Sequence, residues 1–269
     1  MALPAHRDVQ VWREPDGASP DRVAEEVPVA LRYNGRPHVV MMCTPADLED
    51  FARGFSVTEN VVEAVGEIGS IAVTQLVAPE GFEIDVRVPL QRAERLNGRE
   101  RNLEGRTGCG LCGAREIADA MRPVRRVPAG AKVGLPAIRR ALEGLRKLQP
   151  LNAATGATHA AAWATPDGLI VAAREDVGRH NALDKLIGRL LFDGRDLSRG
   201  FLVITSRASY EMVQKAACVG IGLVVAISAP TALAIRVADE AGLTLIGFAR
   251  GDRQVVYTCP GRLQRGGRA

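Results

Sequence analysis

Single-residue alternation of apolar and polar side chains marks the upstream half of the chain, whereas the downstream half is written in continuous apolar runs that lead into helical ones. Val27 to Tyr33, Pro37 to Cys43, Ser70 to Val77 and Phe82 to Pro89 carry the period of two, which predicts strands of a mostly antiparallel sheet. One helix interrupts them. Thr44-Pro45-Ala46-Asp47 reads as a capping-box-like start with proline at the first helical position, and Leu48, Phe51, Ala52 and Phe55 fall on one face.

Downstream, the rhythm strand then helix repeats three times. Leu169 to Ala173 leads into Ala182 to Leu191, Phe201 to Thr205 into Tyr210 to Val219, and Leu223 to Ile227 into Ala232 to Ala241, with Gly242 as the helix stop. A strand pair, Leu243 to Phe248 and Gln254 to Thr258, closes the series around the polar turn Ala249-Arg250-Gly251-Asp252-Arg253. Apolar runs alternating with helices imply an α/β fold whose mixed, largely parallel sheet is covered by helices on both faces. The aperiodic segment Arg122 to Gly130 carries two prolines and separates the two rhythms as a linker does. Two domains follow, a smaller α+β domain over residues 1–128 and an α/β domain over 129–269.

In an open α/β sheet the ligand lies outside the carboxyl ends of the strands. Every polar cluster of the downstream half follows such an end. The predicted rim collects Arg174, Glu175, Asp176, Arg179, His180, Asn181, Ser206, Arg207, Ser209, Ser228, Thr231, Arg250 and Arg253. Arginines beside helix N-termini suit a phosphate group, so a polyanionic small ligand, a nucleotide first of all, is expected there. Ser206, Ser209, Ser228 and Thr231 have a plainer reading as helix caps, which leaves the arginines and His180 unexplained.

Composition narrows the field. With 269 residues, 46% hydrophobic and 25% charged, the chain can bury a full core, and with 4% aromatics that core must be aliphatic. The first residues form no apolar leader, and no run is long enough to span a membrane, so reduced cysteines and a cytoplasmic location are expected. The net charge is +4, and lysine occupies only positions 132, 147, 185 and 215, the other basic residues being arginine. Arginines interleaved with acids and few aromatics argue against long nucleic acids as partners.

The sharpest chemical signal is Thr107-Gly108-Cys109-Gly110-Leu111-Cys112-Gly113, a C-x-x-C pair among glycines with Arg106 before it and Arg115 after it. Glycine flanks predict a mobile loop, and guanidiniums or a following helix N-terminus lower a thiol pKa, which predicts a reactive pair. A structural zinc site would need two more ligands at close spacing, and Cys43, Cys218 and Cys259 stand alone, although a site shared across a dimer stays open. The charged run Arg92 to Gly105 lacks the strand that precedes a thioredoxin-type motif, and five cysteines make no disulfide framework. Ahead of the repeats, Thr158-His159-Ala160-Ala161 invites comparison with the H-x-E of zinc deaminases. Ala161 stands where the glutamate would be, and Ser206 and Ser209 have the spacing of a cysteine pair without the sulfur, so a deaminase-like architecture without zinc is expected. His159 reads equally well as a buried core histidine.

The blocks from Gly108 to Gly113, Thr158 to Ala161, Glu175 to Lys185, Ser206 to Lys215 and Ser228 to Thr231 together resemble the formate dehydrogenase accessory sulfur-carrier family, FdhD, over about Glu26 to Thr258. The resemblance implies a homodimer with a small N-terminal α+β part and a cytidine-deaminase-like C-terminal part lacking zinc. It implies a persulfide carrier that takes sulfur from an L-cysteine desulfurase and passes it to the molybdenum bis(molybdopterin guanine dinucleotide) cofactor of formate dehydrogenase. Cys109 would then bear the persulfide with Cys112 as its helper, and Phe248, Ala249, Arg250, Gly251, Asp252 and Arg253 would hold the guanine dinucleotide. A zinc nucleoside deaminase and a non-covalent cofactor chaperone are the rival readings. One departure from the family pattern is Glu59-Asn60 in place of a Glu-Gly pair after the first helix, and asparagine tolerates the left-handed conformation needed there.

Overall fold

The computed structural model describes residues 3–96, 123–251 and 253–264. Strands β1 (His6–Arg13) and β2 (Gly17–Ala24) form an antiparallel hairpin. Next come β3 (Val27–Tyr33), β4 (Arg36–Cys43), helix α1 (Leu48–Thr58), β5 (Ser70–Val77), β6 (Glu80–Arg87) and the short α2 (Leu90–Glu94). A second series follows: β7 (Val133–Gly134), α3 (Leu135–Lys147), α4 (Pro150–Thr155), β8 (His159–Ala164), β9 (Ile170–Asp176) and α5 (Arg179–Phe192). It continues through β10 (Phe201–Ile204), α6 (Tyr210–Cys218), β11 (Leu223–Ala226), α7 (Ala232–Glu240), β12 (Thr244–Arg250), β13 (Arg253–Val256) and β14 (Leu263–Gln264).

The upstream sheet has the order β4-β3-β6-β5. Its two hairpins are antiparallel as expected, and the central β3/β6 pairing that joins them is parallel. Alternation along β3 buries Val27, Val29, Leu31 and Tyr33 against Phe51 and Phe55 of α1. Asn60, after α1, has φ 56°, so the left-handed conformation expected of it is present. The hairpin of β1 and β2 was not expected, because charges interrupt the alternation of Val9 and Val11. Nor was α3, although Ile138, Ala141, Leu142 and Leu145 give its buried stripe.

The downstream sheet has the order β13-β12-β11-β10-β8-β9. Strands β9, β10, β11 and β12 run in one direction, yet only β10/β11 and β11/β12 are parallel neighbours, because β8 intervenes antiparallel between β9 and β10 and β13 closes the other edge antiparallel. The expected mixed sheet is present, but it is not largely parallel, because only two of its five strand pairings are parallel. The missed strand is β8, His-Ala-Ala-Ala-Trp-Ala, whose alanines have weak β propensity and are held by two flanking strands. Both faces are covered: Leu202 and Ile204 join the core under α5, α6 and α7, while Phe201 and Val203 join the core under α3. The segment read as a linker packs along this half. Val127 N–H donates to Ala241 O (2.9 Å), and Arg262 donates to Pro128 O (2.9 Å).

The two halves meet where α1 crosses α5. A Cβ on Gly54 would lie 1.8 Å from Asp184 O, and one on Gly188 would lie 1.9 Å from Asp50 O, so the helix backbones touch and only glycine fits at either position. Around the crossing, Lys215 Nζ contacts Asp184 Oδ2 (2.8 Å), Glu59 Oε1 (3.0 Å) and Thr58 Oγ1 (2.9 Å), and Thr58 donates to Asp184 (2.7 Å). Burial pushes the Lys215 pKa down, and the two carboxylates overcome it, so the ammonium is held charged above its ordinary range. Its presence is what makes the buried Asp184 tolerable, for burial alone pushes that carboxyl upward.

Candidate functional site

Because β9 to β12 share a direction, their carboxyl ends fall on one edge, joined by the first residue of β8 and the first of β13. Backbone bonds stitch this edge together: Thr205 N–H to Ala160 O (3.0 Å), Ile227 N–H to Ile204 O (3.0 Å), Thr231 N–H to Ala208 O (3.0 Å) and Phe248 N–H to Ser228 O (3.1 Å). The rim read from the sequence is thus one physical edge. Its residues divide into those the fold consumes and those it leaves open.

The first group holds the halves together. Arg174 reaches back to Asp50 of α1 at 2.7 Å. Glu175 accepts from the backbone N–H groups of Leu151 (2.9 Å) and Asn152 (2.7 Å), at the start of α4, and from Thr158 Oγ1 (3.0 Å). Asp176 is fully buried, pairs with Lys185 Nζ (2.6 Å), and accepts from Thr44 N–H (3.0 Å), Gly178 N–H (2.8 Å) and Asn181 Nδ2 (3.1 Å). Asn181 also donates to Met42 O (2.8 Å). Thr44, expected to start a helix, instead gives its carbonyl to Lys185 (2.9 Å) and its hydroxyl oxygen to Val177 N–H (3.2 Å). The N-cap of α1 is Asp47, in a left-handed conformation without a side-chain capping bond. This lock fixes the N-terminal turn of α5, the turn that carries Arg179 and His180.

The second group surrounds the first turns of α5, α6 and α7. Of the four hydroxyls with a capping reading, Thr231 caps α7 through Ala234 N–H (3.3 Å). Ser206 donates to Arg207 O (3.0 Å), and Ser209, at the N-cap position of α6, makes no capping bond. Arg179 Nε, His180 Nε2 and Ser209 Oγ are buried atoms without hydrogen-bond partners. His180 Nε2 points to the first turn of α6, 3.8 Å from Glu211 Oε2, an ion-pair distance too long for a hydrogen bond. Burial raises the Glu211 pKa, but the adjacent His180 and Ser209 side chains outweigh it and bring the carboxyl down to about 2. His159, on the same edge, is pushed below the ordinary histidine range by burial first and then by Arg179, His180 and Arg207. The histidine that meets the helix following Ser206 and Ser209 is therefore His180, where the sequence comparison had singled out His159. Glu211 went unassigned because nothing in its local sequence signals an edge position.

At the far end of the edge, β12 breaks register between Gly247 and Arg250, and Phe248 adopts φ 52° with about half its surface exposed. Gly247 is required there, since a Cβ would come within 2.8 Å of Pro230 Cδ. Arg250, Gly251 and Arg253 are exposed around the hairpin, while Ala249 turns inward and is buried. Asp252, Cys109 and Cys112 lie outside the described residues. Cys43, Cys218 and Cys259 are thiols rather than disulfides, and burial holds the Cys43 and Cys259 thiols above their ordinary range. Among the described residues, no three histidine, cysteine or acidic side chains gather to hold a metal, and no helix is long and apolar enough to cross a membrane.

Fold and edge define a mixed α/β protein whose strand ends form one arginine-bearing edge. Residues 24–264 match the model of the FdhD/NarQ family, and the chain belongs to that family. The chain is 52% identical over 246 residues to a sulfur carrier protein FdhD of Xanthomonas campestris, with 91% of this chain and 87% of that protein aligned. It is 48% identical to another sulfur carrier protein FdhD, from Cupriavidus necator, over 97% of this chain and 91% of that one. A crystal structure of a protein assigned as a formate dehydrogenase accessory protein, from Desulfotalea psychrophila, superposes with a TM-score of 0.75 at 25% identity, covering 96% of this chain and 98% of that one.

Proposed function

We propose that this protein is a sulfur carrier serving formate dehydrogenase in the cytoplasm, and that it relays persulfide sulfur to the molybdenum bis(molybdopterin guanine dinucleotide) cofactor. The observation that carries this reading is the match over nearly the whole chain to relatives that bear the sulfur-carrier name. The Cys109/Cys112 pair supplies the candidate nucleophiles, because its glycine flanks and the neighbouring Arg106 and Arg115 suit a reactive thiolate, whereas Cys43 is buried and its thiol, like that of Cys259, is held above the ordinary range.

In the proposed relay, the Cys109 thiolate attacks the terminal sulfur of a persulfide on an L-cysteine desulfurase, forms the new S–S bond and releases the donor's thiolate. Delivery of that sulfur as sulfide takes two electrons. They are supplied when the Cys112 thiolate bonds to Cys109 Sγ and expels the terminal sulfur, leaving a disulfide that a cellular dithiol reduces. The cofactor is cargo here, and its guanine nucleotide ends are assigned to Phe248, Ala249, Arg250, Gly251, Asp252 and Arg253. The exposed Phe248 ring offers a face on which a base can stack, and the two guanidiniums suit phosphates. A homodimer, a division at about residue 128 and a zinc-free cytidine-deaminase-like downstream half belong to the same proposal. The downstream strand order, with serines at 206 and 209 where a zinc deaminase carries cysteines, supports that last element.

Mass spectrometry after incubation with desulfurase and L-cysteine tests the reading. Wild type should gain sulfur on Cys109, and Cys109→Ala should neither gain it nor support sulfuration of formate dehydrogenase. Activity of Cys109→Ala equal to wild type overturns the relay, and a wild type that binds cofactor without gaining sulfur makes the protein a non-covalent chaperone.

A further inference from the structure

The upstream sheet ends on β5, and this edge lacks the features by which exposed strands avoid pairing with other chains. Folded proteins blunt a free edge with charge, proline or a bulge, because its unpaired N–H and C=O groups otherwise accept another strand. β5 runs Ser-Ile-Ala-Val-Thr-Gln-Leu-Val over eight residues with neither charge nor proline, and its pairing with β6 keeps one register from end to end. Among the described residues, every other edge strand longer than two residues is charged. β1 and β2 carry Arg7, Asp8, Asp21 and Arg22, β4 has Arg36 and pairs with β3 across a register shift, β9 has Arg174, and β13 has Arg253. Packing is unfinished on the same side. Ile71 and Val73 stand opposite Val86 and Ile84 on the face that α1 covers, yet Val73 is 39% exposed and Val77 87%, and Leu76 on the other face is exposed too.

We propose that β5 is the seam of the homodimer, along which two copies pair antiparallel and join their four-stranded sheets into one continuous sheet. The inference rests on the homodimer reading above and names its surface. A second copy is the occupant that the charges favour. Twofold pairing sets a strand against itself, so an ionised side chain on the axis would meet its like, and a strand without charge escapes that cost. Sheet geometry then selects the register. Residues directly opposed in an antiparallel pair lie on the same face, so the twofold must pass through a residue rather than between two. With Thr74 on the axis, Val77 meets the partner's Ile71, Leu76 meets the partner's Ala72, and Val73 meets the partner's Gln75. With Val73 on the axis, Val77 would fall opposite the partner's Gly69, outside the strand. The Thr74 register therefore covers the most exposed apolar side chain of β5 and opposes two threonines, a favourable cross-strand pair.

Sedimentation velocity of the full chain over a range of concentrations tests the seam, with circular dichroism confirming that each variant is folded. Wild type should be a dimer. Thr74→Lys and Thr74→Glu each set like charges face to face on the axis and are expected to weaken dimerisation about tenfold or more. Mixing the two variants should restore a dimer containing one copy of each, because the charges that then face each other are opposite. Val40→Lys, on β4 at the other edge of the same sheet, should leave the dimer intact. Thr74→Lys dimerising as tightly as wild type, or no recovery in the mixture, overturns the seam while the homodimer stands. A wild type that is monomeric throughout overturns the seam and the homodimer together and leaves the edge to a strand of another protein. Persulfide formation on Cys109 is judged by its own assay in every case.

Discussion

Gly188→Ala adds one methyl group to α5 and should unfold more of the molecule than its size suggests. In a helix interior alanine is favoured over glycine by about 0.5–1 kcal/mol, so the substitution gains locally. At this crossing the new Cβ would stand 1.9 Å from Asp50 O, and ordinary contact begins near 3.4 Å, so the backbones of α1 and α5 must part by about 1.5 Å. No rotamer relieves a clash between a Cβ and a backbone carbonyl. The cost therefore reaches the top of the usual overpacking range of about 1–3 kcal/mol. Separation also strains the Lys215–Asp184–Thr58 cluster, in which each bond is at most 3.0 Å long. A net loss of at least about 2 kcal/mol is expected. Equilibrium urea unfolding, followed by far-ultraviolet circular dichroism, measures it. Gly144→Ala in α3 is the matched control, because its Cβ would meet only Ile170 Cγ1 at 3.3 Å, a side-chain atom that can yield. That variant should range from neutral to about 1 kcal/mol more stable. If Gly188→Ala proves as stable as Gly144→Ala, the close crossing of α1 and α5 is wrong.

Three further outcomes are expected. Lys215→Met leaves Asp184 buried without its ion partner and should cost about 3–5 kcal/mol in the same urea assay, with much of the loss restored by adding Asp184→Leu; no recovery in the double variant refutes the pairing. The Glu211 carboxyl lies at about 2 in the folded chain against an ordinary 4.5, so it stabilises the fold above pH 4.5 and loses that contribution as the pH falls toward 2. Glu211→Gln should therefore flatten the loss of stability between those limits, and urea midpoints at pH 5 and pH 3 that drop equally in both proteins contradict this. Arg250→Ala and Arg253→Ala should each weaken guanosine diphosphate binding about ten- to a hundredfold, and unchanged calorimetric affinity in both moves the nucleotide away from the hairpin.

Much of the downstream half was legible because its signals are local. Val203 and Val225 sit in apolar runs, Gly242 takes φ 66° after its helix, and Thr231 caps the helix it precedes. The rim was legible for the same reason, since strand ends can be placed once strands are placed. What escaped were elements whose local pattern is weak or contradictory: the alanine-rich β8, held by neighbours on both sides, and Thr44, whose sequence resembles a helix start.

The sequence by itself determined the strands of the upstream sheet, most strands and helices of the downstream half, the position of the glycine-flanked thiols along the chain and which side chains gather at one edge of the sheet. The tertiary structure alone decided which of those side chains are free. Arg174, Glu175, Asp176 and Asn181 carry the same functional look as Arg250 and Arg253, but the first four are occupied. Thr44 and Asp176 are 132 positions apart, and Arg174 and Asp50 are 124 apart. A charge's availability depends on what lies opposite it after folding, and partners at such separations leave no trace in the local periodicity from which a sequence is read.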